Sequence, residues 1–469
     1  MNVKALILTL SVAALAACGG VAPAPQEDPE VEAQGRNVIR VNTTSGEFNS
    51  DGDCSLREAM VAAHKNRSVD ACPAGHRVAE DVIELQANAT YTLYEVDNDR
   101  YSPNGLPRIE TPSDGTNALF IRGNNATIER ATDAPRFRIF DAVNGLRLDN
   151  LTIRNGFSVG TKMERFGFGG GLRLRRTLDN EQDLSVEQLP FTLYNVRFEN
   201  NEAFSAGTGG GAFISGKAKL SRLTVRGNKA SDIGGGLAVS HNVALLDSLI
   251  INNEAPTGGG ISVLGSYEDP DIVSLIVNTS IIDNEGRSVA GISARNAKLY
   301  GVTVSANWGG GPGILAQATD IYNSTIAFNQ GIGITYSNDI IFRNTIIANN
   351  ERDCSRSRGS HPDIDYVSAR SRYSLDSDKS CSLRSGSGYG NFSGSDPVLK
   401  PLATIGSDIR LTHALHSLSP AVNRGDPNFS VPPGLASEDG RGAARVWFGR
   451  VDIGAYESLE TYKPPFLGK

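Results

Sequence analysis

Short stretches of alternating apolar and polar residues recur along most of the chain. Eight of them follow one pattern: LDNLTIRNG (148–156), LYNVRFENN (193–201), LSRLTVRGN (220–228), LDSLIINNE (246–254), VNTSIIDNE (277–285), LYGVTVSAN (299–307), YNSTIAFNQ (322–330) and FRNTIIANN (342–350). In the third copy, Leu220, Leu223 and Val225 point to one side, and the gap after Leu220 indicates a bend. The pattern therefore predicts very short strands joined by bends.

A repeat this short cannot bury an apolar face alone, but copies stacked on one another can. A leucine-rich repeat needs a helical half, and a propeller blade needs about 40 residues and four strands. The repeats show neither feature. The sequence therefore predicts an all-β fold, a single-stranded right-handed parallel β-helix (a solenoid) in which each repeat forms one coil.

An asparagine column accompanies the repeats. In the alignment above it contains Asn155, Asn200, Asn253, Asn284, Asn329 and Asn349. Inward asparagines at a bend bond to backbone and to each other, so we expect a structural ladder. A role as ligand or catalytic group is the alternative, but the column recurs from coil to coil, which favours structure. The glycine triplets at 169, 209, 234 and 258 predict tight turns with close backbone approach.

One helix interrupts the strand pattern, in DGDCSLREAM (51–60). Ser55 and Glu58 form a capping box, and Leu56, Ala59, Met60 and Ala63 form one apolar stripe. A helix of about ten residues is marginal alone, so we expect it to cover the open end of the first coil. NSDGDC (49–54) has the alternating acids of a calcium loop but lacks its glycine and closing acid, which favours a turn.

The N-terminal residues predict export. Lys4 precedes an apolar run, 5–16, that is too short to span a bilayer and has the length of a signal sequence. Leu15-Ala16-Ala17-Cys18 resembles a bacterial lipobox, in which Cys18 is acylated; an ordinary signal peptide is the alternative. We expect an outer-membrane lipoprotein, exposed at the cell surface, that touches the membrane through this lipid alone.

The other cysteines are Cys54, Cys72, Cys354 and Cys381. An even number in an exported chain favours disulfides, and proximity in sequence favours Cys54–Cys72 and Cys354–Cys381 among three pairings. No CxxC spacing or histidine pair accompanies them, so we expect no metal and no cofactor. The formal net charge of −7 argues against nucleic acid as a partner and against an electrostatic attraction to anionic polymers.

Two terminal motifs carry a family resemblance. CSLREAM followed by DVIELQANATYTL resembles the CSLREA domain that opens many exported bacterial β-helix proteins. SPAVNRGDPNF (419–429) with DGRGAARVWFGRVDIGAYE (439–457) is similar to the choice-of-anchor Q domain that closes them. The glycine triplets with FENN resemble the repeats of polymorphic outer-membrane protein adhesins. The resemblance implies a surface-anchored β-helix from about residue 38 to 458.

The predicted organisation follows from these features. It comprises a lipoprotein signal peptide (1–18), a flexible tether (19–36), a CSLREA-type cap with the first coils (37–95), β-helix repeats (96–352), a disulfide-closed polar loop region (353–395), a choice-of-anchor Q-like region (396–458) and a tail (459–469). We expect a monomer.

The function predicted is adhesin-like, non-catalytic binding of carbohydrate or of a cell-surface protein. The insertions 97–112, 157–168 and 175–190 carry candidate binding aromatics, Tyr101, Phe157, Phe166 and Phe168, although such loops also merely decorate a rod. A polysaccharide lyase or glycoside hydrolase is the alternative, and a cell-envelope scaffold is a second. The outward column, interpreted as Arg154, Glu199, Arg226, Asn252, Asp283, Ser305, Phe328 and Ala348, mixes charges and contains no carboxylate pair, so no catalytic residue is assigned.

Overall fold

In the computed structural model the described residues belong to the second of two units, Met1–Arg36 and Asn37–Lys469. They are 38–76, 79–99, 102–110, 119–143, 145–161, 166–175, 191–265, 273–337, 340–357, 369–384, 386, 388–404, 409–429, 439, 444–446 and 449–458. Cys18, the tether, the tail and Tyr101 therefore lie outside the described residues.

Over the described residues the elements are one helix, α1 (Leu56–Lys65), and 34 strands. The strands are β1 (Val38–Arg40), β2 (Asp81–Glu84), β3 (Thr90–Leu93), β4 (Ile109–Glu110), β5 (Leu119–Arg130), β6 (Phe140–Val143), β7 (Leu146–Arg154), β8 (Phe157–Val159), β9 (Leu172–Arg175), β10 (Phe191–Glu199), β11 (Glu202–Phe204), β12 (Ala212–Ser215), β13 (Ala218–Ser221), β14 (Thr224–Arg226), β15 (Lys229–Ala230), β16 (Leu237–Ser240) and β17 (Val243–Leu246). They continue with β18 (Leu249–Ile251), β19 (Ile261–Val263), β20 (Ser274–Val277), β21 (Ser280–Ile282), β22 (Ile292–Tyr300), β23 (Thr303–Ser305), β24 (Ile314–Tyr322), β25 (Thr325–Ala327), β26 (Ile332–Ser337), β27 (Ile340–Arg343), β28 (Ile346–Ala348), β29 (Arg352–Arg356), β30 (Ala369–Arg372), β31 (Leu375–Asp376), β32 (Phe392–Ser393), β33 (Leu399–Thr404) and β34 (Leu411–Leu415).

Parallel pairing between successive repeats stacks most of these strands into three long sheets, with a short parallel sheet of β8, β11 and β15 besides, which confirms the predicted β-helix. Sheet A contains β1, β2, β13, β17, β20, β27 and β30 with one end of β5, β7, β10, β22 and β24. Sheet B follows it in each coil and contains β3, β14, β18, β21, β23, β25, β28, β31 and β32 with the other end of β5, β7 and β10. Sheet C precedes sheet A and contains β4, β6, β9, β12, β16, β19, β26 and β29 with the starts of β22 and β24.

The core is a set of inward columns of aliphatic side chains. In sheet A one such column runs through Ile39, Ile83, Ile121, Leu148, Leu193, Leu220, Leu245, Ile276, Leu299, Ile321 and Phe342, none more than 2% exposed. Each coil thus buries its apolar side only against the coils above and below it, as the repeat pattern predicts.

The asparagine row lies one residue later than predicted in several coils. Its side-chain amides bond in series through Asn201, Asn228, Asn253, Asn284, Asn307, Asn329 and Asn350, at 2.9–3.0 Å. Asn253, Asn284 and Asn329 were predicted members. Asn155, Asn200 and Asn349 instead precede the row at positions with φ of +54° to +61°. The error comes from register: Leu220 pairs with Leu245 rather than with Leu246, on which the alignment was built.

The helix α1 begins at a complete capping box between Ser55 and Glu58, as predicted. The Glu58 carboxylate accepts from the Ser55 N–H at 2.9 Å, and the helix packs against β1, β2 and β4 at the start of the β-helix. Both proposed disulfide pairings are present: Cys54–Cys72 beside the helix, and Cys354–Cys381 at the other end of the coils. All four cysteines are at least 98% buried.

The glycine triplets allow backbone to approach backbone. Gly209, Gly234 and Gly258 have φ between +64° and +71°. A Cβ on the next residue of a triplet, Gly210, would lie 2.3 Å from the Gly235 carbonyl oxygen, so no larger residue fits without displacement.

The segment after residue 352 differs from the prediction. Strands β29–β32 continue the sheets into the region predicted as polar loop, because Cys354, Leu375 and Cys381 supply buried inward side chains within an otherwise Ser-rich sequence. The antiparallel pair β33–β34 then lies along the outer face of sheet B, where Leu411 O accepts from Ser280 Oγ at 2.7 Å. No helix in the described part of the chain is long and apolar enough to cross a bilayer.

Candidate functional site

Of the four predicted binding aromatics the structure describes Phe157, Phe166 and Phe168, and these differ in exposure. Phe157 is only 6% exposed; its ring lies 6.4 Å from that of Phe204 and under the guanidinium of Arg136 at 4.5 Å. Phe166 is 47% exposed and contacts Phe168, with ring centroids 5.9 Å apart. Packing therefore occupies Phe157, and Phe166 with Phe168 forms a small separate patch.

A buried serine–histidine pair has the geometry of a nucleophile and its base. Ser305 Oγ lies 2.9 Å from His413 Nε2, and His413 Nδ1 lies 2.8 Å from the Lys400 carbonyl oxygen. Ser305 is 1% and His413 3% exposed, so no substrate reaches them. Burial also lowers the pKa of His413. The pair joins β34 to sheet B.

A buried ion pair on the outer side of sheet C escaped the sequence analysis. Arg173 Nε and a terminal nitrogen donate to both oxygens of Asp141 at 2.8 and 2.6 Å, and Arg108 Nε lies 3.3 Å from the same carboxylate. The arginine contacts keep the pKa of Asp141 below its usual value despite burial, which opposes this shift. Arg173 and Asp141 are completely buried, so the pair stabilises adjacent coils.

Among the described residues, one carboxylate group has metal-like spacing: Asp51, Asp53 and Asp70 have ligand atoms within 4.8 Å of one another. Asp70 accepts from the Gly52 N–H at 2.8 Å, and Asp51 accepts from the Asp53 N–H at 3.2 Å. The Asp51–Asp53 bond is typical of a turn that precedes the capping helix, and the Asp70 bond ties this turn to the loop that follows the helix.

An open groove on the outer face of sheet A brings aromatic and basic side chains together. Strand register places Tyr300, Tyr322, Arg343 and Arg372 in one outward column on four successive coils. A second column beside it contains Lys298, Asp320, Ile341 and Arg370. A cavity of about 310 Å³ lies at the later end of these columns, where Arg384 and Tyr389 join Tyr322, Ile341, Arg343, Arg370 and Arg372 in its lining, and Tyr300 and Lys298 extend the surface onto the preceding coil. We call this surface the Tyr–Arg groove.

Two tyrosines form the apolar part of the Tyr–Arg groove. The rings of Tyr300 and Tyr322 stack with centroids 4.7 Å apart and planes at 8°. Parallel β-strand register forces this stack, because equivalent residues of adjacent coils are neighbours. The stack presents a half-buried aromatic surface beside the arginines. Such surfaces pack against the apolar faces of planar or ring-shaped ligands.

The basic part of the groove is held in place by its neighbours. Arg343 pairs through two nitrogens with Asp426, whose own N–H donates to Asn344 Oδ1 at 2.8 Å. The guanidinium of Arg384 lies 5.7 Å from the ring centre of Tyr389. Arg372 is exposed, and the described residues give its side chain no ion pair. The groove therefore combines Arg343, whose position an ion pair fixes, with Arg372, whose guanidinium is exposed to a ligand.

The tyrosines and Asp320 have perturbed protonation. Burial raises the pKa of Tyr322, and the nearby Asp320 raises it further; Tyr322 Oη lies 3.3 Å from Asp320 Oδ2. Burial likewise raises the pKa of Tyr300 and of Asp320. Tyr322 therefore keeps its proton at neutral pH and acts as a hydrogen-bond donor rather than as a base.

The sequence held a signal for this groove that the prediction missed. Tyr300 and Arg343 follow the inward residue that starts their repeats, in LYG and FRN, and Tyr322 follows the inward Ile321 just before its repeat, in IYN. The search for functional residues followed a later outward column instead. That column is covered at Ser305, which contacts His413 of β34, and the adjacent outward Thr303 contacts Thr412 of the same strand.

No family model matches the chain, and no curated protein matches it. Among solved structures it is similar to pectate lyase Pel9A, with 14% identity, a TM-score of 0.49 and coverage of 91% of this chain and 98% of the other. It is also similar to the periplasmic alginate epimerase AlgG, with 11% identity, a TM-score of 0.34 and coverage of 60% of this chain and 74% of the other. A third similar structure is the Azotobacter vinelandii mannuronan C-5 epimerase AlgE6 A-module, with 13% identity, a TM-score of 0.31 and coverage of 74% of this chain and 84% of the other. At these values the similarities carry no inference about activity.

Proposed function

We propose that the protein is a non-catalytic binding protein for an extracellular polysaccharide, and that the Tyr–Arg groove is its binding surface. The observation that carries this proposal is the outward Tyr300–Tyr322 stack beside exposed guanidinium groups, in a groove open to solvent. Sugar rings have apolar faces that pack on aromatic rings and hydroxyls that accept from arginine. The groove offers both kinds of contact along one column.

A polysaccharide lyase is the second candidate, and the same column favours it. Elimination next to a carboxylate needs a cation to neutralise that carboxylate and a group that accepts a proton. Arg343 and Arg372 fit the first role. Tyr322 fits the second poorly, because its raised pKa keeps it protonated at neutral pH. The two candidates differ in whether the bound polymer is cleaved, which the search for unsaturated products decides.

Removal of one tyrosine tests the proposal. Tyr322→Ala should weaken polysaccharide binding about tenfold, because an aromatic contact contributes on the order of 0.5–1.5 kcal/mol beyond its buried area. Tyr194→Ala is the matched control, since Tyr194 lies in the same outward column several coils earlier. The measurement is affinity electrophoresis against a panel of acidic and neutral polysaccharides.

Two results of this experiment would contradict the proposal. One is equal weakening by both substitutions. The other is wild-type protein that passes through every polymer without retardation. The same samples should be followed for the ultraviolet absorbance of unsaturated products. If this absorbance appears with the wild-type protein and is lost with the Tyr322→Phe protein, the protein is a lyase instead.

We also propose export, anchoring through Cys18 and membership of the CSLREA and choice-of-anchor Q group. The two disulfides support an oxidising compartment, since such bonds are rare in the cytosol. The capped helix at the start of the coils supports the resemblance at the N-terminus. A cell-surface protein as partner, and a purely structural role in the envelope, are alternatives that the polysaccharide panel addresses.

A further inference from the structure

The charge of the Tyr–Arg groove is opposite to that of the chain. Its two outward columns and its wall contain Lys298, Arg343, Arg370, Arg372 and Arg384, against the carboxylates of Asp320 and Asp426. The whole chain carries a formal charge of −7. A basic groove on an acidic protein raises the local concentration of an anionic ligand.

We propose that the ligand of the groove is a carboxylated polysaccharide, a polyuronate, that lies along the column of Tyr300, Tyr322, Arg343 and Arg372. This inference rests on the proposed function. Adjacent coils lie ~4.8 Å apart, so the column offers a contact at each step of an extended polymer. A planar guanidinium pairs with a carboxylate through two parallel hydrogen bonds, a geometry that neutral hydroxyls do not match.

The two acidic residues have different effects on such a ligand. Asp426 bonds Arg343 and is 3% exposed, so it orients that guanidinium from behind. Asp320 lies in the second outward column, and its Oδ2 accepts from the Tyr322 hydroxyl at 3.3 Å, beside the aromatic stack. Its negative charge opposes a polyanion. Asp320→Asn should therefore strengthen polyuronate binding by a few-fold.

The experiment compares one polymer in two charge states. Wild-type protein is titrated with polygalacturonate and with the same polymer after reduction of its carboxyl groups to alcohols, and with dextran sulfate as a polyanion of different geometry. Arg372→Gln with Arg384→Gln should weaken polygalacturonate binding about tenfold, a few-fold for each exposed ion pair. Lys219→Gln with Arg226→Gln removes the same charge from exposed positions outside the groove and should leave binding unchanged.

The outcomes separate this inference from the proposed function. Tight binding of polygalacturonate, loss on carboxyl reduction and strengthening by Asp320→Asn support it. Equal binding of the charged and reduced polymers, still dependent on Tyr322, overturns the polyuronate assignment and leaves the proposed function. Tighter binding of dextran sulfate than of polygalacturonate shows that charge alone is recognised and also overturns the assignment. Failure of all three polymers, while a neutral polysaccharide of the panel still binds, overturns only the polyuronate assignment, and failure of every polymer in both experiments removes both.

Discussion

At the last bend of each coil, two adjacent residues meet different physical demands. The first has a positive φ, +55° at Asn252, where asparagine and glycine are favoured over other residues. The second, Asn253, is 1% exposed; its Nδ2 donates to the Val225 carbonyl oxygen at 3.0 Å and to Asn284 Oδ1 at 3.0 Å. Only the second position joins the row of amides that runs along the coils.

Because of this difference, substitution should lower stability at Asn253 and be tolerated at the adjacent Asn252. Asn253→Leu leaves backbone groups of two coils without partners and should cost about 1–3 kcal/mol in the free energy of unfolding. Asn252→Gly keeps the positive φ available and should change stability by only a few tenths of a kcal/mol. Urea denaturation measures both. A large loss from Asn252→Gly with a neutral Asn253→Leu would show that the row is not structural.

The asparagines that form the hydrogen-bonded row could be predicted from sequence only in coils whose strand register was predicted correctly. Alternation of apolar residues was enough for the fold class, because period-two strands in short repeats leave few architectures. The adjacent leucines Leu245 and Leu246 satisfy the pattern equally well. A shift of one residue moves every side chain to the opposite face, and the outward column searched for function was displaced with it.

At the scale of elements, the ends and the flank of the β-helix are closed by different devices. At the start, α1 covers the first coil and is tied by Cys54–Cys72, which closes a separation of 18 residues. Along the flank, β34 and the residues around Ile453 cover sheet B. The sequence of these flanking residues did not predict that they pack on sheet B. Their hydrogen bonds reach single serines and threonines, such as Ser280 and Thr325, that lie about 130 residues earlier in the chain.

Removal of the first disulfide tests the role of the helix. Cys54→Ala with Cys72→Ala should reduce the stability of the cap by about 3 kcal/mol and expose an apolar end with unpaired strand edges. We expect association between molecules, measured by light scattering, rather than complete unfolding. Cys354→Ala with Cys381→Ala should instead loosen only the C-terminal segment. If the protein with Cys54→Ala and Cys72→Ala stays monomeric and keeps the wild-type melting curve, the helix does not have this role.

The C-terminal residues contain a pH-sensitive contact. Burial raises the pKa of Glu457 to about 9, and the adjacent Asp452 adds to the shift. The folded state therefore holds a proton that the unfolded chain releases near its ordinary value of 4.5. The resulting stabilisation is complete below pH 4.5 and is lost as the pH rises to about 9.

Hydrogen exchange of peptides within 449–458 should consequently accelerate between neutral pH and pH 9 more than chemical exchange alone explains. Glu457→Gln, which is neutral at every pH, should abolish that extra acceleration. Equal acceleration in the wild type and in Glu457→Gln would mean that another group controls this segment.

At the scale of the whole molecule, average properties conceal local ones. The net charge of −7 predicted no attraction to anionic polymers, yet sheet A gathers arginines from successive late coils on one face. Composition cannot show such a cluster, because strand register and the return of the chain at Arg384 create it. The same holds for the aromatics: of the predicted loop residues that the structure describes, Phe157 is buried and Phe166 is exposed, while Tyr300 and Tyr322 meet only through stacking of coils.

Export and anchoring also belong to this scale. If Cys18 carries a lipid, Cys18→Ser should move the protein from the membrane fraction to the soluble fraction of cells, because a single polar substitution removes the acylation site. Detergent phase partition of both proteins measures this change. Identical partition of the wild type and the Cys18→Ser protein would show that no lipid is attached there.

Hydrogen exchange in the presence of bound polymer tests the central claim, that the Tyr–Arg groove is the binding surface. Wild-type protein is saturated with the polysaccharide that it binds best, and protection is compared along the coils. The account predicts protection in peptides that contain residues 297–300, 319–322, 340–343, 370–372 and 384–389, with no change in 191–194 and 218–221. Protection confined to the Phe166–Phe168 patch or to the early coils would contradict it.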